Sequence, residues 1–297
     1  MFELTFWQNK AAALRFPDQA VIDGKPRAAQ SGQTFAAINP ATGQCLANVA
    51  ACGDEDVDAA VRNARQVFEA GTWSARSPNE RKQVLLRLAD LIMTHREELA
   101  LLDSLNMGKP VMDAYNIDVP GAAGVFRWYA ESLDKLYDQI APSAQNVLAT
   151  ITREALGVVA AVVPWNFPLD MAAWKLAPAL AAGNSVILKP AEQSPFSALR
   201  LAELALEAGL PAGVLNVLPG LGEQTGKALG LHPDVDCLVF TGSTEVGKYF
   251  MQYSAQSNLK QVWLECGGKS ANLVFADCQD LDLAAEKAAF GISFNQG

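Results

Sequence analysis

Histidine is scarce in this chain of 297 residues, which has 2, His95 and His232. Its 5 cysteines, Cys45, Cys52, Cys237, Cys266 and Cys278, are odd in number, and none stands in a Cys-x-x-Cys pair. These shortages argue against a disulfide framework and against a metal centre built on histidine or cysteine. His95 lies between apolar helical segments and reads as a surface histidine on a helix. Positive charge is short as well: 23 Lys and Arg face 32 Asp and Glu, for a formal net charge of -9. Such a balance disfavours nucleic acid and anionic membranes as partners. The longest apolar runs are broken by Pro164 or Lys175, short of the ~20 residues of a membrane span. Glu3 and Trp7 spoil any cationic, apolar leader, and the expected location is cytoplasmic. Internal repeats and low-complexity tracts are missing too.

Half of the residues are apolar, enough for a sizeable core in one large or two ordinary domains. The chain is organised around residues 157–190, which read as strand, helix, strand. Residues 158–163 are an unbroken Val-Val-Ala-Ala-Val-Val run, too short for a long helix and suited to a strand buried on both faces. Pro164 and Pro168 stop it. Asn166, between them, places an amide at the carboxyl end of a buried strand, where open α/β sheets bind ligands. A helix follows and closes at Gly183, and the next strand, 185–188, ends on Lys189. Amide and cation thus share one edge, which suits an oxygen-rich ligand.

Residues 1–50 read as irregular, with extended pieces at 20–22 and 34–38. Apolar residues at helical spacing from Val57 to Phe68 predict a helix from about Asp54 to Gly71. Ser77-Pro-Asn-Glu80 and Thr94-His-Arg-Glu97 read as capping boxes of two further helices, the second ended by Gly108 and Pro110. A helix over 120–138 and a strand over 147–152 come next. Downstream, Ser194-Pro195 opens a helix that Gly209 and Pro211 close. Strands are expected at 214–218, 237–240, 262–264 and 272–275, then a helix over 281–294. This β-α alternation implies a parallel, doubly wound sheet.

Five motifs occur in order: Pro-Trp-Asn-Phe-Pro at 164–168, Leu-Lys-Pro-Ala-Glu at 188–192, Phe-Thr-Gly-Ser at 240–243, Leu-Glu-Cys-Gly-Gly-Lys-Ser at 264–270 and Phe-Asn-Gln-Gly at 294–297. Together they resemble the NAD(P)-dependent aldehyde dehydrogenase superfamily, over nearly the whole chain. Ile-Asp-Val-Pro-Gly-Ala-Ala at 117–123 and Arg-Trp-Tyr-Ala-Glu at 127–131 resemble the bacterial branch acting on gamma-glutamyl-gamma-aminobutyraldehyde and similar amino aldehydes. The resemblance implies an α/β fold with a Rossmann-type, doubly wound parallel sheet. Residues 1–136 and 156–267 would form the NAD-binding domain, 137–155 part of an oligomerisation arm, and 268–297 the start of a catalytic domain. It also implies NAD as cofactor, a small-molecule aldehyde as substrate, and a homodimer or homotetramer.

Two glycine-bearing turns offer themselves to a dinucleotide. Gly220-Leu-Gly222-Glu-Gln-Thr-Gly226 departs from the Gly-x-Gly-x-x-Gly spacing. Thr241-Gly242-Ser243-Thr-Glu-Val246-Gly247 follows a strand and opens a helix, presenting N–H groups and a hydroxyl to a phosphate. Read alone, either is equally an ordinary turn that needs glycine. By the resemblance both flank the cofactor and Ser243 meets its pyrophosphate, with Val163, Pro164, Trp165, Phe240, Val246, Cys266 and Gly267 beside it. Lys189 and Glu192 are implied at the adenosine ribose. A carboxylate that accepts from a 2′,3′-diol repels a 2′-phosphate, which favours NAD over NADP. Read alone, Glu192 is a solvated glutamate at a helix start.

Asn166 resembles the family's oxyanion-hole amide, a donor worth roughly 3 to 4 kcal/mol where charge develops on a carbonyl oxygen. Without the family it reads as a buried cap. Glu265 matches the general base that activates the hydrolytic water, and Lys175 a lysine that helps relay the proton. In the family the nucleophilic cysteine follows Phe-Asn-Gln-Gly within a few residues, so it is expected beyond Gly297, in a longer enzyme of which this chain is the N-terminal part. Cys266, although next to Glu265, reads as a small packed thiol. The substrate tunnel is implied at Phe167, Asp170, Met171, Trp174 and Phe294. Asp170 stands where the family usually has leucine. It either receives a polar or cationic aldehyde tail or satisfies backbone N–H groups at a helix start. Two other readings stand beside the enzyme: a non-catalytic dinucleotide-binding or structural protein that ends here, and a reductase, for which a Tyr-x-x-x-Lys signature is missing.

Overall fold

The computed structural model describes residues 3–296. The first 50 residues hold more regular structure than the sequence suggests: helix α1 (Leu4–Ala12), a hairpin of β1 (Ala20–Ile22) and β2 (Lys25–Arg27), and a second hairpin of β3 (Thr34–Ile38) and β4 (Cys45–Ala50). Only Trp7 of α1 is buried, so that helix has no apolar stripe to betray it.

Helix α2 (Asp54–Glu69) starts where expected, and α3 (Pro78–Thr94) carries the capping box, the Ser77 hydroxyl accepting from the Glu80 N–H and the Glu80 carboxylate from the Ser77 N–H. The second box does not form. Thr94 ends α3 with its hydroxyl donated to the Asp90 carbonyl at 2.9 Å, a bond inside the helix that competes with capping. Helix α4 (Arg96–Met107) therefore starts without a side-chain cap and ends on left-handed Gly108. The short α5 (Val111–Asp113) runs through a π-helical turn (Ala114–Asp118) into α6 (Val119–Ser132), which stops before the expected residue 138: a 3-10 turn buries Leu133, and Leu136 and Tyr137 beyond it are exposed and give a longer helix nothing to pack. An exposed ribbon of β5 (Gln139–Ala141) and β6 (Ala149–Ile151) follows.

From there strands and helices alternate: β7 (Val158–Val162), α7 (Pro168–Ala181), β8 (Ser185–Lys189), α8 (Phe196–Glu207), β9 (Leu215–Val217), α9 (Lys227–Leu231), β10 (Cys237–Gly242), α10 (Thr244–Gln256), β11 (Gln261–Cys266) and α11 (Leu281–Ser293). The strand expected at 272–275 is not made. Leu273 and Phe275 are exposed and meet no neighbouring strand among the described residues, and an extended segment without a ladder partner has nothing to hold it.

Seven strands form one sheet in the order β11-β10-β7-β8-β9-β1-β2, parallel from β11 to β9 and antiparallel at β1 and β2. On one face the core holds Phe126 of α6, Leu169 of α7 and Phe196 of α8. The other packs Val61 of α2 against Leu229 of α9 and Phe250 of α10. Both faces are covered, which explains why β7 and β8 are buried along their whole length. No helix among the described residues is long and apolar enough to cross a membrane.

Candidate active site

The strand register builds the site. Val162 lies opposite Lys189 on one side and Phe240 on the other, and Thr241 lies opposite Glu265. The carboxyl ends of β7, β8, β10 and β11 therefore finish together. Asn166, Glu192 and Ser243 follow those ends within a few residues.

On this edge the Lys189 ammonium donates to Glu192 Oε2 at 2.9 Å. The lysine is almost entirely buried, and burial lowers its pKa despite the carboxylate beside it. Burial pushes the Glu192 carboxyl up, but the charge and hydrogen bond of Lys189 outweigh it and hold the group below the usual range. Glu192 is thus an anchored, ionised acceptor. It lines a cleft of about 500 Å³ with Phe35, Ile38, Met107, Trp165 and Leu221. The wall given by β3 escaped the sequence reading, because a short strand far upstream carries no sign of where it packs.

Ser243 caps α10 by accepting from the Val246 N–H at 3.2 Å, which leaves its hydroxyl proton free to donate. Thr241 Oγ1 is buried with no hydrogen-bond partner among the described residues. Gly242 is glycine because a Cβ there would meet the Phe240 ring at 2.4 Å. In the other turn Gly222 is open, whereas Gly226 is buried. Its neighbour Gly220 lets the chain pass Thr225 Oγ1, which a Cβ would meet at 2.0 Å. Val163 and Phe240 are buried side chains, so they offer a ligand only backbone. An ionised acceptor, free hydroxyls, helix-start N–H groups and an apolar wall fit a dinucleotide.

Lys175 and Glu265 line a second cleft of about 640 Å³ with Trp174 and Trp263. Burial lowers the Lys175 ammonium, and the Glu265 charge works against that shift. The turn Phe294–Gln296 reaches back to the loop between β7 and α7: Asn295 Nδ2 donates to the Asn166 carbonyl at 3.0 Å, and the rings of Phe294 and Phe167 lie 6.3 Å apart. Asn166 Oδ1 is buried without a partner among the described residues. Cys266 is half-buried against Gly247, where a Cβ would meet its Sγ at 2.9 Å. Burial pushes the Cys52 thiol up to about 12 and Cys237 up to about 11, so neither is a ready thiolate.

Asp170, Met171 and Trp174, expected to line a substrate tunnel, share the first two turns of α7, with Phe167 as the residue that precedes it. Beneath them lie Lys109 and Asp103, which no motif announced, and Asp118 of the 117–123 motif, to which the sequence assigned no role. The Lys109 ammonium sits 3.8 Å from the Phe167 ring centroid and pairs with Asp118, and both side chains are buried. Asp103 is buried beside them. Among the described residues no cluster of His, Cys, Asp or Glu is arranged to hold a metal ion.

A model described as the aldehyde dehydrogenase family matches residues 27–297. The NADP/NAD-dependent aldehyde dehydrogenase PuuC of Escherichia coli is 54% identical over 294 residues, covering 99% of this chain and 59% of that protein. The solved gamma-glutamyl-gamma-aminobutyraldehyde dehydrogenase of Burkholderia cenocepacia superposes with a TM-score of 0.98 at 56% identity, over 100% of this chain and 60% of that one. An indole-3-acetaldehyde dehydrogenase in complex with NAD+ gives a TM-score of 0.99 at 53% identity, with the same coverage, 100% and 60%. The chain thus spans about three fifths of the length of the relatives it matches.

Proposed function

The chain belongs to the aldehyde dehydrogenase family, and from that premise we propose that the whole protein oxidises an aldehyde to a carboxylate with NAD, amino aldehydes being its substrate class. The observation that carries this reading is the register, which sets Lys189, Thr241 and Glu265 along one edge with Asn166. The similarity to an NAD+-bound dehydrogenase and to an amino aldehyde enzyme supports it.

NAD, when bound, supplies the acceptor for the aldehyde's hydride. Lys189 and Glu192 would hold its adenosine ribose, and Ser243 with the first N–H groups of α10 its diphosphate. The thiol is assigned to the sequence that follows Phe294-Asn-Gln-Gly297 in the whole protein. As that thiol adds to the carbonyl, charge gathers on oxygen, and an Asn166 N–H donated there stabilises it by roughly 3 kcal/mol. Glu265 takes a proton from the water that cleaves the thioester, and Lys175 passes it outward. Tyr137, Ile140 and Leu148, exposed on and beside the β5–β6 ribbon, favour assembly of a homodimer or homotetramer through this arm. A cytoplasmic setting suits the reduced cysteines.

Replacing Glu265 with Gln in the whole protein should lower kcat by about a hundredfold or more, with NAD binding retained in a calorimetric titration. Unchanged turnover would remove Glu265 from the chemistry.

A further inference from the structure

Behind the first turn of α7 the fold gathers three carboxyls around one ammonium. Lys109 is spent on Asp118 Oδ2, and its other face covers the Phe167 ring. Asp103 accepts a long bond, 3.4 Å, from the Leu169 N–H and meets the Ser197 hydroxyl. Asp170 is desolvated by burial, feels the repulsion of Asp118 and the attraction of Lys109, and accepts a hydrogen bond from the Trp174 side chain. A Cβ on Gly121 of α6 would stand 3.1 Å from Asp170 Oδ1, so the glycine leaves that oxygen its room.

One ammonium cannot neutralise both Asp118 and Asp170, and Asp103 adds a third buried carboxyl. Two oxygens are left over: Asp118 Oδ1, on a side chain 1% exposed, and Asp170 Oδ1, both buried and without a hydrogen-bond partner among the described residues. If Asp170 served the start of α7, that oxygen would accept from backbone N–H groups, and it accepts none. A buried carboxylate oxygen with no donor is costly, so the arrangement suits a cation that the chain does not itself supply. Trp174, one helical turn further along α7, is exposed and offers an aromatic face.

We propose that Asp170, backed by Asp118, seats the positively charged end of the substrate, a primary ammonium or a guanidinium, against the Trp174 indole. The inference rests on the proposed oxidation of amino aldehydes and names the residue that selects them. Burial, with the charge of Asp118, pushes the Asp170 carboxyl up to about 6, while Lys109 and Trp174 pull it partly back. Burial also pushes Asp103 up to about 7 and raises Asp118. In acid, protons thus occupy the cluster and weaken its hold on a cation.

The test is steady-state kinetics of the whole protein on 3-aminopropanal and propanal across pH, with calorimetric titration of 1,3-diaminopropane as a probe that carries the cation and no aldehyde. Asp170→Leu should raise KM for 3-aminopropanal about tenfold or more, with a much smaller change in KM for propanal. Asp170→Asn, which keeps the size of the side chain, should act in the same direction, and both variants should lose diaminopropane binding. In the wild type, kcat/KM for 3-aminopropanal relative to propanal should rise with pH through about 6, and the rise should vanish in the Asn variant. Equal effects on the two aldehydes, or diaminopropane bound as tightly by the variants as by the wild type, would overturn the proposal. A wild type that oxidises neither aldehyde would sink the assigned reaction instead, and the diaminopropane titration would still decide the cation seat.

Discussion

Glu192 keeps one oxygen on the buried Lys189 ammonium, while the other receives a long bond, 3.5 Å, from Gln193. We propose that its negative charge discriminates against a ribose phosphate. Glu192→Gln in the whole protein should weaken NAD and shift the NAD-to-NADP preference by about tenfold toward NADP, read by calorimetry with both nucleotides. An unchanged preference would take Glu192 out of the selection. Asp103 makes a different prediction. Its carboxyl, pushed up to about 7, holds a proton in the folded state over a range in which the unfolded chain has lost it. Between the ordinary carboxylate pKa near 4 and about 7, the folded state binds more protons, so stability falls as pH rises, by at most roughly 1.4 kcal/mol per pH unit. Asp103→Asn should flatten that decline, leaving the variant the more stable above neutrality and without advantage near pH 4. Urea midpoints taken across pH check this, and parallel curves for variant and wild type would refute it.

At the scale of elements, Gly157 sets the start of β7. Its φ is 132°, and a Cβ there would meet Asp236 Oδ2 at 2.0 Å. That oxygen accepts from the Val158 N–H at 2.7 Å and from Arg65 at 2.5 Å, tying the strand to α2. Gly157→Ala should therefore cost about 2 to 4 kcal/mol in the urea midpoint of the whole protein. A midpoint unmoved would mean that the carboxylate steps aside freely. The elements that local chemistry specifies were legible in the sequence. The β-branched run at 158–162, the two prolines after it and the Ser77 capping box each have a single good solution. Thr94 failed as a cap because its hydroxyl had a second partner within reach, the Asp90 carbonyl. Residues 272–275 failed as a strand because a strand is a relation between two segments, which composition does not contain.

Across the whole molecule, the edge where four strands end together was legible because motifs at strand ends converge whenever the strands are parallel. The cation seat was only half legible. Asp170 drew notice because it stands where the family usually has leucine, whereas Lys109 and Asp103 look like surface residues, and Asp118 has no assigned role, until α4, α6 and α7 are packed together. The Asn295 bond to Asn166 spans 129 positions and likewise appears only in the fold. Sequence places groups on an edge, and tertiary packing decides which of them are left with unmet charge.

The most direct test of the account is product analysis with the whole protein, given 3-aminopropanal and NAD. The account predicts that carboxylate and NADH appear in equal amounts. A folded protein that binds NAD yet forms no carboxylate from this aldehyde or from propanal would contradict it.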